Sequence, residues 1–219
     1  MNRRTLGRLA AAVLATGLAA GWPLAHAADE APDAMMKRLS DEVLGIIKTD
    51  KLVQSGNLDR IMQVVDSKIM PNVNFQRMTA SAVGPAWRQA SAEQRQRLQE
   101  EFKLLLVRTY AGALSQVNDE TVNVKPLRAA PTDTDVIVRS EIRGRGEPIQ
   151  LEYRLEKTPG QGTGWKIYNL NVLGVWLVET YRSQFSQEIN AKGVDGLIAS
   201  MAERNRANAA GSPPNGRKG

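Results

Sequence analysis

Residues 149–156 read IQLEYRLE. Ile149, Leu151, Tyr153 and Leu155 alternate with Gln150, Glu152, Arg154 and Glu156, and a period of two sends the two sets to opposite faces of a strand. One face is dry and the other wet, as in an antiparallel sheet that buries a single side. The pattern continues outward. Upstream, Val136, Val138 and Ile142 alternate with Asp135, Arg139, Glu141 and Arg143, and before them Val122 and Val124 alternate with polar residues. Downstream, GWKIYNLNVL (Gly164 to Leu173) reads as a fourth strand. Gly144-Arg145-Gly146 and Pro159-Gly160-Gln161-Gly162-Thr163-Gly164 are the hairpin loops between them. The prediction is a four-stranded meander.

On either side the period changes to that of a helix. Met36, Leu39, Val43, Leu44 and Ile47 place a first helix over about Pro32 to Lys48, with Pro32 and Asp33 suited to its first turn. Leu58, Ile61, Met62, Val65 and Ile69 give a second over about Asn57 to Ile69, stopped by Pro71. A short third spans Phe75 to Val83 and ends at Gly84-Pro85. Ser91 with Gln94 three residues on is a capping-box signature. The helix it opens is the most regular of all, with Leu98, Phe102, Leu105, Leu106, Tyr110, Ala113, Leu114 and Val117 in register for about five turns. After the strands, a helix runs to about Lys192, where Gly193 caps it, and a last short one carries Val194, Leu197, Ile198 and Met201. About six helices around a meander make an α+β chain. Helices packed into the concavity of a twisted sheet form a cone of the NTF2-like kind. Its wide end can stay open, so an apolar pocket is expected rather than a solid core.

The first residues bear on the compartment. MNRRTLGR is basic, LAAAVLATGLAAGWPL is a short apolar run, and Ala25-His26-Ala27 has the small-x-small form of a signal-peptidase site. A secretory signal peptide over residues 1–27 is therefore expected, which leaves 192 residues. The chain has no cysteine and its single histidine, His26, goes with the leader. Zinc sites with His or Cys ligands, Ser-His and Cys-His nucleophiles and a disulfide framework are excluded in such a mature chain. Neither metal nor cofactor is expected. Losing Arg3, Arg4 and Arg8 lowers the net charge from +6 to +3, with acids interleaved throughout, which does not suggest nucleic acid as a partner. Residues 28–205 fit a single domain. Residues 206–219, RANAAGSPPNGRKG, have the composition of a disordered tail.

Motifs of catalysis are weak. GQGTGW lies between two strands instead of opening a helix, and no GKS or GKT follows, so it is a hairpin loop and no phosphate cradle. Glu141, Glu152 and Glu156 fall on the wet face, where Arg139, Arg143 and Arg154 can pair with them. Asp66 is opposite the apolar stripe of its helix. No carboxylate falls on a dry face, where its pKa would be raised for catalysis. The apolar inventory stands out instead: Phe75, Met78, Trp87, Phe102, Tyr110, Tyr153, Trp165, Tyr168, Trp176, Tyr181 and Phe185 fall on faces directed at the sheet.

Several short motifs occur in a definite order between about Pro32 and Asn205. They are Phe75-Gln76-Arg77-Met78, Gly84-Pro85-Ala86-Trp87, Glu93-Gln94, Glu101-Phe102, Thr109-Tyr110, Gly164-Trp165-Lys166-Ile167-Tyr168, Gly174-Val175, Tyr181-Arg182-Ser183-Gln184-Phe185 and Gly193-Val194-Asp195-Gly196-Leu197. Their succession resembles the MlaC, or toluene-tolerance, family of exported proteins. The resemblance implies a monomeric periplasmic carrier that holds a phospholipid by its acyl chains. It would exchange lipid with an outer-membrane lipoprotein complex and with an inner-membrane MCE-domain ABC transporter complex. The implied lipid-binding residues are Phe75, Met78, Phe102, Leu105, Leu106, Tyr110, Val138, Leu151, Tyr153, Ile167, Val175, Trp176, Val178, Tyr181 and Phe185. Trp176, Leu177 and Val178 would form the first turn of the helix that closes the cone. Arg182, one position off that stripe, would hold a carboxylate across a helix interface or meet a lipid phosphate at the rim. The chain departs from the family in carrying Asn169 where Asp is frequent and Trp176 where a small polar residue is frequent. Two other readings stay open: an NTF2-like enzyme acting on a hydrophobic small molecule, and a periplasmic adaptor with a filled core.

Overall fold

The computed structural model describes residues 30–114, 117, 119–130 and 132–209, so the expected leader and residues 210–219 lie outside the described residues. Helix α1 spans Pro32–Thr49, with Pro32 at its first position and Asp33 in its first turn. The short α2 (Lys51–Gln54) starts on Asp50, whose carboxylate accepts from the backbone N–H groups of Leu52 and Val53. Asn57 caps α3 (Leu58–Val64). The expected second helix does reach Ile69, but its last turn, Val65–Ile69, is π-helical, and Met70–Asn72 tightens to 3₁₀ around Pro71.

Helix α4 occupies Phe75–Val83 and α5 is a single turn, Ala86–Gln89. The capping box at α6 (Ala92–Leu114) forms as the sequence predicts: Ser91 Oγ accepts from Gln94 N at 3.1 Å, and Gln94 Oε1 accepts from Ser91 N at 2.9 Å. Two orphan N–H groups are thereby satisfied reciprocally.

The sheet has five strands rather than four, antiparallel and in chain order: β1 Thr121–Val124, β2 Asp135–Arg143, β3 Ile149–Lys157, β4 Trp165–Val172 and β5 Val175–Trp176. The extra strand comes from the turn Leu173-Gly174, both residues with positive φ (52° and 86°), which folds Val175-Trp176 back onto β4 before any helix begins. Trp176 therefore belongs to a strand and not to a first helical turn. Helix α7 starts at Leu177 and runs to Ala209, four residues into the segment expected as a tail. Gly193 (φ 71°, ψ −176°) kinks it into two helical pieces, the cap its sequence position suggested. With α7 counted once across this break, and the π and 3₁₀ turns left aside, there are seven α-helices among the described residues.

Fully buried apolar residues fall into three groups. The first joins α4, α6 and α7 through Phe75, Met78, Leu98, Phe102, Phe185, Leu197, Ile198 and Met201. The second packs Met35, Met36 and Leu39 of α1 on Val136, Val138, Leu155, Trp165 and Ile167 of the sheet. The third links Ile47, Val53, Ile61 and Val64. Half-buried Val73 borders the first two groups and half-buried Val43 the last two. A domain of this size commonly has one contiguous core; here three cores border one another at their half-buried margins.

Candidate functional site

Directly opposed residues of an antiparallel sheet share a face, so the register sorts the apolar face into rows. The first row is Val136, Leu155 and Ile167, the second Val138, Tyr153 and Leu170. The third is Val124, Ser140, Leu151, Val172 and Val175, and the fourth Val122, Ile142 and Ile149. Among the apolar members burial falls from the first two rows to the last two, although Ser140 in the third row is only 1 % exposed. Leu155 in the first row is 0 % exposed, whereas Val175 in the third is 50 % exposed and Ile149 in the fourth 39 %. Leu173, in the turn beside them, is 63 % exposed in the left-handed conformation, and its N–H donates to Gln150 O at 3.0 Å. One end of the dry face is sealed by α1, which also reaches Val124 of the third row on the β1 side. The other is open.

A β-bulge keeps the β4 asparagines off this face. Strict alternation from Trp165 and Ile167 would carry Asn169 and Asn171 onto it. Leu155 pairs with Ile167 but Arg154 pairs with Asn169, which leaves Tyr168 as an extra residue. Beyond it the phase is reversed: Leu170 and Val172 face the dry side, while Asn169, Asn171 and Trp176 join Arg154 and Glu152 on the polar side. Tyr168 itself is not directed at the dry face. Its hydroxyl donates to Asp135 Oδ1 at 2.6 Å and the Arg77 guanidinium lies 3.5 Å from its ring centre. Burial, then Asp135, push its pKa up to about 12.

The predicted site residues divide accordingly. Phe75, Met78, Phe102, Leu105, Val178, Tyr181 and Phe185 come together in the packed helical group, with Leu106 half-buried at its margin. Phe102 is the hub, its ring 4.9 Å from that of Tyr181 and 5.2 Å from that of Phe185, both edge-on. Val138 and Ile167 lie in the sheet group, with Tyr153 half-buried against it. Leu151 is half-buried in the third row, and Val175 and Tyr110 are exposed. Trp176 is separate from all of these. Its ring lies 4.0 Å from the Arg154 guanidinium, on the polar face. Ile142, Ile149, Leu170, Val172 and Leu173 complete the open end. The first two already show in the alternation, but Leu170 and Val172 depend on the bulge, which leaves no trace in the local pattern.

Charged groups are paired away from the dry face. Glu152 accepts from Arg139 Nε at 2.7 Å, as alternation predicted. Glu156 instead pairs with Arg77 of α4 and accepts from Asn74, which caps that helix, and Arg154 pairs with Glu179 at 2.7 Å. Glu141 is buried on the polar side, where a bond from Lys125, helped by Asn123, Gln150 and Arg143, holds its pKa down at about 2. Asp66 accepts from Lys103 at 2.8 Å. The Arg182 guanidinium lies against Gly84 and makes no ion pair among the described residues. Asn169 is buried at the start of α7: its Oδ1 accepts from Leu170 N and Val178 N, and its Nδ2 donates to Glu179 Oε2 at 2.8 Å. Burial alone would raise the Glu179 pKa, but the bonds from Asn169 and Arg154 outweigh it and leave it low. Asn at this position thus fits Glu179, which an Asp would repel. A groove of about 320 Å³ is lined by Arg139, Gln150, Leu151, Glu152, Asn171 and Gly174, so that charged and amide groups border a surface to which Leu151 also contributes.

What the geometry defines is a class: an α+β domain whose apolar sheet face is closed at one end and open at the other, with no membrane-crossing helix among the described residues. The particular family is MlaC, whose model matches residues 37–203, and the chain belongs to it. It is 27 % identical over 197 residues to the toluene tolerance protein ttg2D of Pseudomonas putida, covering 87 % of this chain and 90 % of that one. To the intermembrane phospholipid transport system binding protein MlaC of Haemophilus influenzae it is 23 % identical over 178 residues, covering 80 % and 83 %. A solved structure of the phospholipid-binding protein from Ralstonia solanacearum, in complex with a phospholipid, superposes with a TM-score of 0.77 at 48 % identity and covers 81 % of this chain and 98 % of its own.

Proposed function

We propose that this protein is a periplasmic phospholipid carrier. It takes up the acyl chains against the open end of the sheet and exchanges lipid between an outer-membrane lipoprotein complex and an inner-membrane MCE-domain ABC transporter. The carrying observation is the burial gradient along one apolar face, because exposing Ile149, Val175 and Leu173 to water has a cost that bound acyl chains would remove. A diacyl lipid has on the order of 30 methylenes, each worth about 0.8 kcal/mol against water. Free lipid therefore does not cross an aqueous space unaided, and a dry protein surface makes the exchange nearly neutral. The phospholipid in the Ralstonia solanacearum structure, at 48 % identity, supports the same reading.

In this reading the sheet curves around the ligand as an NTF2-like cone. Leu106, Tyr110, Leu151, Tyr153 and Val175 have surface left to meet acyl chains. Phe75, Met78, Phe102, Leu105, Val138, Ile167, Val178, Tyr181 and Phe185 form the wall behind them. Arg182 and other scattered surface cations offer the headgroup little selectivity. An enzyme of the same shape would need a carboxylate on the dry face, and the strand carboxylates Glu141, Glu152 and Glu156 are on the other. Native mass spectrometry of protein purified from cells without detergent is the test. Diacyl phospholipid at near one-to-one stoichiometry is expected, and a spectrum of lipid-free protein alone would defeat the carrier reading.

A further inference from the structure

The dry face of the sheet holds a polar pair that packing does not explain. Ser140 is 1 % exposed, and its hydroxyl lies 3.4 Å from the hydroxyl of Tyr153, diagonally across β2 and β3. Around them the face is Val138, Leu151, Leu170 and Val172. The separation is long for two hydroxyls, whose bonds cluster near 2.7–2.8 Å. Proton counting then leaves a remainder. Each hydroxyl brings one donor, and a single bond between them uses only one of the two protons. Whichever group accepts still has its own O–H to place, and no second acceptor for either hydroxyl occurs among the described residues. Burial also pushes the Tyr153 phenol pKa up, so the hydroxyl stays protonated and remains a donor.

Position narrows what the missing acceptor is. Ser140 is level with Leu151, one row inside exposed Ile149, and Tyr153 is a row deeper. At about 3.4 Å per residue the pair sits roughly 7–14 Å inside the open end. A lipid lying with its chains inward and its headgroup at the rim would bring its ester linkages, one glycerol length below the phosphate, to the shallower, Ser140 side of that range. An ester carbonyl accepts a hydrogen bond and brings no donor of its own, which is what the spare proton requires.

We infer that Tyr153 and Ser140 recognise an ester carbonyl of the bound lipid, and so set how deep the lipid sits and favour ester-linked over ether-linked chains. This rests on the carrier reading. The ligand class it names is a diacyl glycerolipid, as distinct from any apolar molecule of similar bulk. The test is competitive loading of delipidated protein with diester and diether phosphatidylglycerol of the same chain length, with the bound ratio read by mass spectrometry. One neutral hydrogen bond predicts about a three- to tenfold preference for the diester in the wild-type protein. In Tyr153→Phe, which keeps the ring and its packing, the ratio should fall to near one, and Ser140→Ala should lower it in part. Equal loading of the two lipids by the wild type, or an unchanged preference in Tyr153→Phe, overturns the inference while leaving the carrier reading in place. Failure to load either lipid overturns both.

Discussion

The two ends of the apolar sheet face are built from the same kinds of side chain and behave oppositely. At one end Val136, Leu155 and Ile167 are buried, and at the other Val172 is half-buried and Val175 and Ile149 are exposed. Strand propensity and residue hydrophobicity are alike across the rows. What differs is the layer above. Met35, Met36 and Leu39 of α1 cover the first rows and reach Val124 at the β1 side of the third, whereas among the described residues no buried group includes Val122, Ile142 or Ile149 of the fourth. An exposed aliphatic side chain here is not a surface accident but the continuation of a core that the fold leaves unroofed.

That contrast is sharpest in a pair of truncations. Leu155→Ala should cost about 2–5 kcal/mol of stability, as for other fully buried leucines, with bound lipid per folded molecule unchanged. Val175→Ala should stay within about 0.5 kcal/mol, as exposed positions do, and lower lipid loading instead. Denaturant titration and lipid quantification on the same samples decide it. If Val175→Ala costs as much stability as Leu155→Ala, the two ends are one core and the comparison fails.

Leu151→Asn tests the middle of the face. A buried amide without a partner costs roughly 1–3 kcal/mol. At an open face water reaches the amide once chains have left, so the loss should show mainly as lipid released. A fall in the thermal midpoint with lipid content per folded molecule intact would place Leu151 in a core. Glu152→Gln, its neighbour on the polar side, should leave lipid loading unchanged.

Asn169→Asp tests how the start of α7 is anchored to the sheet. Asn169 holds the first turn of α7 and donates to Glu179, so a carboxylate there removes a donor and adds like charge. The expected cost is about 1–2 kcal/mol, and the double change Asn169→Asp with Glu179→Gln should recover most of it. Additive costs in that cycle would mean that the two residues do not interact.

The smallest effect is a pH dependence at the open end. Glu141 has its pKa lowered from 4.5 to about 2, chiefly by Lys125. A carboxylate depressed on folding contributes stability that is present above 4.5 and lost as pH falls toward 2. Glu141→Gln should flatten thermal midpoints over that window, and an unchanged acid profile would show that this group is not responsible.

Much of this was legible in the chain, and for local reasons. Alternation in IQLEYRLE identifies a half-buried strand because side chains on a strand alternate by geometry alone. Ser91 and Gln94 announce the α6 start because a capping box closes within four residues. The end of α4 at Gly84-Pro85 and the break at Gly193 follow from glycine and proline in the same way. The apolar stripes give a helical group and a sheet face, and the ordered motifs point to the MlaC family.

What the sequence could not determine depends on residues brought together from far apart. The Tyr168 bulge exists only relative to β3, and it alone decides that Leu170 and Val172 face the dry side while Asn169 and Asn171 do not. Trp176 has the spacing of a helical residue, yet the Leu173-Gly174 turn returns it to β4 and places its ring on Arg154. Glu156 finds Arg77 across 79 residues and not the arginine two positions away. Whether an aliphatic side chain is roofed or open is likewise invisible in its own segment, since burial is a property of the neighbour that tertiary packing supplies. Periodicity assigns each residue to a face, and only the assembled layers decide which part of that face is covered.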